Sequence, residues 1–128
     1  MQAIDTNVLV RLLTGDDAKQ AKAAEGFVAN AGGAWVSHLV LAETVWVLDA
    51  VYERSRAQLI AALDTLVDHT LFSLQEPEVV IAALQHFKKH ERVGFSDCLV
   101  LEVARKAGHL PLGTFDMGLG RIDGAKRL

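Results

Sequence analysis

The sequence predicts an α/β fold with a mostly parallel sheet, and three observations predict it. Short strand-like apolar runs alternate with longer amphipathic stretches along the 128 residues. Turn and capping residues separate these segments. Acidic residues recur just after the strand-like runs, where a parallel sheet places its ligands. We therefore expect a ligand site at the carboxyl ends of the strands.

The elements of the first half follow from capping residues and apolar spacing. The predicted elements are a strand over Gln2–Ile4, a helix carrying Val8, Leu9, Leu12 and Leu13, a helix from Asp16 or Asp17 to Asn30, a strand at Trp35–Val36 and an amphipathic helix over Leu39–Tyr52.

The second half is predicted from the same signals. Ser55 and Gln58 form a capping box that opens a helix. The remaining predictions are a strand over Leu71–Leu74, a helix with Pro77 in its first turn, a helix capped by Ser96 and ended by Gly108, a strand over Leu112–Phe115 and a weakly signalled strand near the C-terminus.

Length and composition indicate one domain over residues 1–128, with 51% hydrophobic and 23% charged residues. The single cysteine, Cys98, excludes an internal disulfide and a four-cysteine zinc site, and we expect it to be buried. The richest apolar stretch, Trp35–Ala50, is too short and too polar to span a membrane. We therefore predict a protein of the cytoplasm.

Four acidic residues stand out by position. Asp5 follows the first strand, Asp116 follows the fourth, and Asp97 begins a helix. Glu43 lies in an apolar helix, where an unpaired charge is costly. Carboxylates that converge need protons or cations between them, and Mg²⁺ or Mn²⁺ prefers such oxygen ligands. These ions promote hydrolysis of phosphate esters without a covalent enzyme intermediate.

Each acid also has an ordinary structural interpretation. Asp5 is a good helix cap, Asp97 suits the first turn of a helix, and Asp116 suits a turn. Glu43 could pair with an arginine in the core. The coincidence of four acids near one predicted sheet edge favours the metal site.

The formal charge of −3 excludes a strongly basic nucleic-acid binder. A polyanionic substrate is nevertheless compatible with this net charge if a cation lies in the cleft.

Four segments resemble the motifs of PIN domains, in the same order. They are Ile4–Val10 (IDTNVLV), Ser37–Glu43 (SHLVLAE), Phe95–Leu99 (FSDCL) and Thr114–Asp116 (TFD). Their spacing and the length of the chain are similar to those of VapC-type toxins of bacterial and archaeal toxin–antitoxin pairs. The resemblance covers essentially the whole chain.

This resemblance implies a PIN-like three-layer α/β/α sandwich with a mostly parallel four- to five-stranded sheet. It implies an endoribonuclease that depends on Mg²⁺ or Mn²⁺. Matched by position, the catalytic metal ligands are Asp5, Glu43, Asp97 and Asp116, and the supporting residues that orient them are Thr6, Asn7, Ser37 and Thr114.

The resemblance also implies partners: an RNA substrate, a cognate VapB-type antitoxin and a second copy in a homodimer. The helix Leu39–Tyr52, with Trp46 in it, is a candidate surface for the antitoxin, and ordinary core is the alternative. Cations such as Arg11, Lys89 and Arg92 could steer RNA phosphates.

Two other functions stay open at this point. A phosphohydrolase with an aspartyl nucleophile usually needs a second acid two residues after Asp5, where this chain has Asn7. A non-catalytic PIN-like module would bind RNA or protein without cleavage.

The segment with His86 and His90 lacks the glutamate of a zinc-protease helix, and we expect both histidines to be exposed.

Overall fold

The computed structural model describes residues 1–128, which divide into two compact units at residues 1–77 and 78–128. The first contains β1 (Gln2–Ala3), α1 (Thr6–Thr14), α2 (Ala18–Ala31), β2 (Ala34–Val36), α3 (His38–Ala50), α4 (Arg56–Asp68) and β3 (Phe72–Leu74). The second contains α5 (Pro77–Lys89, whose first residue ends the first unit), α6 (Phe95–Ala107), β4 (Leu112–Thr114), a short 3₁₀ helix (Leu119–Arg121) and β5 (Ala125–Arg127).

The first unit is built on a three-stranded parallel sheet in the order β1-β2-β3. Ala34 of β2 pairs with Gln2 and with Phe72, so β2 is central. The apolar residues of α1, α2, α3 and α4 that recur at helical spacing form the core around this sheet. The most buried of them are Leu9, Val10, Leu41, Leu63 and Leu66.

Local capping sets where these helices begin. Asp17 accepts a hydrogen bond from the Gln20 amide, and the expected capping box forms between Ser55 and Gln58. At the end of α2, Gly32 has φ of +73°, a left-handed conformation that glycine adopts without steric cost. The predicted bounds of α2 and the predicted start of α4 are therefore close to the observed ones.

The second unit packs α5 and α6 around an aromatic pair and carries a parallel two-stranded sheet. The rings of Phe87 and Phe95 meet edge to face with centroids 5.8 Å apart. Leu112 of β4 pairs with Ala125 of β5. Cys98 is fully buried, as the sequence predicts.

The fold class is confirmed, since all strand pairs are parallel and alternate with helices. The strands, however, form sheets of three and two, where a sheet of four to five was expected. Strands of two or three residues make too few ladder hydrogen bonds for their pairing to be read from sequence. None of the helices is both long and apolar enough to cross a membrane.

The predicted cap at Ser96 is wrong. The helix begins at Phe95, Gly94 is its N-cap, and no side chain caps it. Gly94 has the extended backbone that a cap position needs, and its carbonyl accepts the first helical hydrogen bond from the Cys98 amide at 3.2 Å. Ser96 and Asp97 therefore both lie inside the first turn of α6.

Candidate metal centre

Asp5 lies at the carboxyl end of β1 and caps α1. Its Oδ1 accepts a hydrogen bond from the Val8 amide at 3.0 Å. The side chain is exposed, and its Oδ2 has no protein partner. Because the cap fixes the side chain and leaves one oxygen free, the capping and metal-binding interpretations of Asp5 are compatible.

Glu43 is tied to the start of α1. The Thr6 hydroxyl donates a hydrogen bond of 2.5 Å to Oε1 of Glu43. Glu43 is exposed and forms no ion pair, so the alternative of a core arginine partner is wrong. Its apolar neighbours Leu39 and Trp46 are also exposed, at 75% and 64%, which explains why the charge needs no buried partner.

The start of α3 is fixed from two sides. Ser37 caps the helix by accepting a hydrogen bond from the Val40 amide at 3.1 Å. Gln75, just after β3, accepts one from the His38 amide at 2.8 Å through Oε1. The His38 ring Nε2 donates to the Gln75 carbonyl at 2.7 Å. Sequence reasoning missed Gln75, although its place directly after a predicted strand was a usable signal.

Two cavities of the first unit flank the beginning of α1. One, of about 300 Å³, is lined by Asp5, Thr6, Asn7, Glu43, Trp46 and Val47. The other, of about 360 Å³, is lined by Asp5, Asn7, Val8, Arg11, Gln20, Ala23, Ala24 and Phe27. Asp5 and Asn7 line both. The exposed Asn7 amide has no hydrogen-bond partner, so it is available to a ligand in either cavity.

In the second unit, Asp97 and Asp116 influence each other electrostatically. Asp97 lies in the first turn of α6 and is half-buried. Burial, and then the negative charge of Asp116, raise the pKa of the Asp97 carboxyl above its ordinary value. Asp116 is exposed, and its Oδ2 accepts from the Leu119 amide at 2.7 Å. Its own amide donates to Thr114 Oγ1 at 3.0 Å.

None of the four predicted carboxylates forms an ion pair with lysine or arginine. Each unit holds two of them, and neither unit contains a group of three or more His, Cys, Asp or Glu side chains arranged to hold a metal ion. The donor chemistry fits Mg²⁺ or Mn²⁺, because every candidate ligand is a carboxylate oxygen and none is neutralised by a protein cation.

Two charged networks involve residues that the sequence analysis singled out. Glu102, with its side chain 7% exposed, accepts hydrogen bonds from His86 Nε2 at 2.9 Å and from Arg105 Nε at 3.1 Å. His86 is therefore half-buried and paired, and His90 is also half-buried, where exposure of both was expected. Arg11 is held by Asp16, Tyr52 and Gln20, which fix its guanidinium at the larger cavity that it lines with Asp5.

Asp5, Asp97 and Asp116 lie just after a strand or in the first turn of a helix, and Glu43 lies in the body of α3. Ligand sites of parallel α/β folds are built from residues at such positions. The PIN domain family model matches residues 3–125, and the chain belongs to the PIN domain family. PIN domains are in general metal-dependent nucleases. Comparisons with curated proteins and with solved structures found no significant match.

Proposed function

We propose that this protein is a metal-dependent endoribonuclease and the toxin of a toxin–antitoxin pair. The observation that carries the proposal is the PIN family match over residues 3–125, a span that includes all four acidic motif residues. The resemblance of the four motifs and of the chain length to VapC-type toxins adds the toxin role. A cytoplasmic setting, where RNA is the substrate at hand, belongs to the same proposal.

Asp5, Glu43, Asp97 and Asp116 are the proposed catalytic ligands of one or more Mg²⁺ or Mn²⁺ ions. Such an ion, when bound, supplies Lewis acidity and lowers the pKa of water beside a phosphodiester. Support comes from the unpaired state of the four carboxylates and from the repulsion between Asp97 and Asp116. A cation would relieve that repulsion.

The residues of the chain itself would hold these carboxylates in place. Thr6 fixes Glu43 by its hydroxyl hydrogen bond, and the Val8 amide fixes Asp5. The Leu119 amide fixes Asp116, and Thr114 holds the backbone at that residue. The bonds from Thr6, Val8 and Leu119 each leave one carboxylate oxygen free to bind a ligand. Preorganisation of this kind lowers the cost of ordering the site around substrate.

The remaining supporting residues have different roles. Ser37 sets the start of α3 and so the position of Glu43 along that helix. Asn7 has no structural hydrogen bond and is proposed to contact substrate directly. In the proposed reaction the bond between phosphorus and the 3′ oxygen is hydrolysed, which yields a 5′ phosphate and a 3′ hydroxyl.

A VapB-type antitoxin and a second copy of the chain are the proposed protein partners. The unpaired carboxylates of Asp5 and Glu43, which line one cavity of the first unit, suit a basic antitoxin segment. Exposed Val100 and Val103, three residues apart on α6, are of the kind that dimer interfaces cover. Sedimentation of the purified chain, alone and with the antitoxin, tests both partners.

The test of the proposed function uses purified protein and total cellular RNA with Mg²⁺, Mn²⁺ or chelator. Asp97→Asn is compared with Asp123→Asn, a matched control on an exposed carboxylate of the same unit. We expect discrete fragments with metal, at least a hundredfold loss in Asp97→Asn and none in Asp123→Asn. Equal cutting by parent and Asp97→Asn would refute the site. No cutting and no Mn²⁺ binding by the parent would favour a non-catalytic binding module.

A further inference from the structure

Trp46 is an unpartnered aromatic side chain beside two of the proposed catalytic carboxylates. It lies on α3, three residues after Glu43, and is 64% exposed. It lines the cavity of about 300 Å³ together with Asp5 and Glu43. Its indole N–H has no hydrogen-bond partner, and its ring contacts no other aromatic ring. One broad apolar face therefore borders the cavity without a structural role.

The charge of the first unit limits what could bind there. Residues 1–77 carry ten Asp and Glu against five Lys and Arg, whereas residues 78–128 carry six against eight. Away from a bound metal ion, a phosphate gains little from contact with so acidic a surface. An uncharged nucleobase pays no such penalty, because stacking on an aromatic ring does not depend on charge.

The free amide of Asn7 adds a polar group to the same cavity. It lines the cavity with Trp46 and offers both a donor and an acceptor. Nucleobase edges present the same combination of groups. Proteins bind unstacked bases by stacking them on an aromatic ring and forming hydrogen bonds with their edges, and Trp46 and Asn7 offer these two groups.

On the basis of the proposed function, we propose that Trp46 stacks on an unpaired nucleobase adjacent to the scissile phosphate, with Asn7 at the edge of that base. The substrate is then RNA that is single-stranded where it is cut. A base within a duplex has both faces covered by its neighbours and cannot stack on Trp46.

Binding is tested with an end-labelled single-stranded oligoadenylate, followed by fluorescence anisotropy. Ca²⁺ replaces Mg²⁺, since Ca²⁺ also binds carboxylates, and a gel verifies that the RNA stays intact. We expect Trp46→Leu to weaken binding about 5- to 100-fold, because leucine keeps the apolar surface but has no aromatic face. Trp46→Phe should stay within a few-fold of the parent. Leu39→Ala, an exposed apolar residue of α3 that does not line the cavity, should leave binding unchanged.

A spectroscopic signature separates stacking from a general loss of surface. The chain has two tryptophans, so in Trp35→Phe the tryptophan emission comes from Trp46 alone. Single-stranded oligoadenylate should quench this emission, and the same strand annealed to oligouridylate should not. If Trp46 instead contacts a protein partner and not RNA, its emission will not change when RNA is added.

Three results would contradict the stacking proposal. Equal binding by parent and Trp46→Leu, equal loss in Leu39→Ala, or quenching by the duplex would each overturn the stacking proposal. In that case metal-dependent cleavage by the parent would still support the proposed function. A parent that neither binds oligoadenylate nor cleaves total RNA would overturn both proposals.

Discussion

The Thr6 hydroxyl of α1 donates a hydrogen bond to the Glu43 carboxylate of α3, a residue 37 positions further along the chain. The bond joins the residue after Asp5 to the acid of the second motif. It also leaves Oε2 of Glu43 free. One hydroxyl thus sets the orientation of a proposed ligand and links the first motif to the second.

Replacement of Thr6 by valine should remove this hydrogen bond and keep the shape of the side chain. We expect a loss of about 10- to 100-fold in Mn²⁺ affinity and cleavage rate, as for other residues that orient metal ligands. The free energy of unfolding should change by about 1 kcal/mol or less. Thr6→Ser, which keeps the hydroxyl, should stay close to the parent. Calorimetric Mn²⁺ titration and initial cleavage rates are the measurements.

Thr65→Val on α4 is the control for this prediction, because its hydroxyl bonds only to the Ala61 carbonyl. Full activity in Thr6→Val would show that Glu43 needs no orienting partner.

The pKa of Asp16 should rise in Tyr52→Phe. The Tyr52 hydroxyl donates to Asp16 Oδ2 at 2.6 Å, and this bond lowers the pKa of Asp16 below its ordinary value of 3.8. A lowered pKa contributes stability that is present above the unfolded value and is lost as the pH falls through the folded one. Tyr52→Phe should therefore lose less stability than the parent on acidification. Carboxyl NMR titration of both proteins measures the pKa directly, and an unchanged Asp16 titration would contradict the assignment.

Removal of the buried Glu102 carboxylate should destabilise the second unit. Glu102→Ala leaves His86 and Arg105 without their shared acceptor. We expect a loss of about 2–3 kcal/mol in the free energy of unfolding, less than for a fully buried pair because Arg105 is partly exposed. Urea unfolding measures the loss. Glu91→Ala, at an exposed glutamate in the same unit, should change stability by less than about 0.5 kcal/mol.

Two glycines of α2 should respond in opposite directions to alanine. An added Cβ meets nothing within 4 Å at either Gly26 or Gly32. Gly26 lies inside the helix, so Gly26→Ala should stabilise the protein by about 0.5–1 kcal/mol. Gly32 has φ of +73°, so Gly32→Ala should cost about 1–2 kcal/mol. Thermal unfolding of both variants measures these changes in stability. Because neither added Cβ meets a steric contact, the difference between them reports the backbone conformation, and changes of the same sign would contradict the prediction.

Features that depend on neighbours in sequence could be predicted from the sequence. The capping role of Asp17, the capping box at Ser55 and the end of α6 at Gly108 all arise within one helical turn. The positions of Asp5 and Asp116 after strands were predictable for the same reason. The division into sheets of three and two strands was not, because it depends on pairing between very short segments.

The contacts that orient the candidate site could not be predicted from the sequence. The bonds from Thr6 to Glu43 and between His38 and Gln75 each join residues 37 positions apart. The exposure of Glu43 was also hidden, since its apolar neighbours Leu39 and Trp46 suggested burial although they face outward. Apolar composition along a helix indicates its core face only when the opposite face is polar.

Because Asp5 caps α1 through Oδ1, the choice of replacement at this position determines what an experiment reports. Alanine would remove the cap and the charge together, and a loss of cleavage could then reflect a frayed helix. Asparagine is as good a cap as aspartate and keeps its shape, but it lacks the charge and has an NH₂ group in place of the free Oδ2. The helix start therefore tolerates either residue, and a loss of cleavage in Asp5→Asn would report on the proposed metal site rather than on the cap.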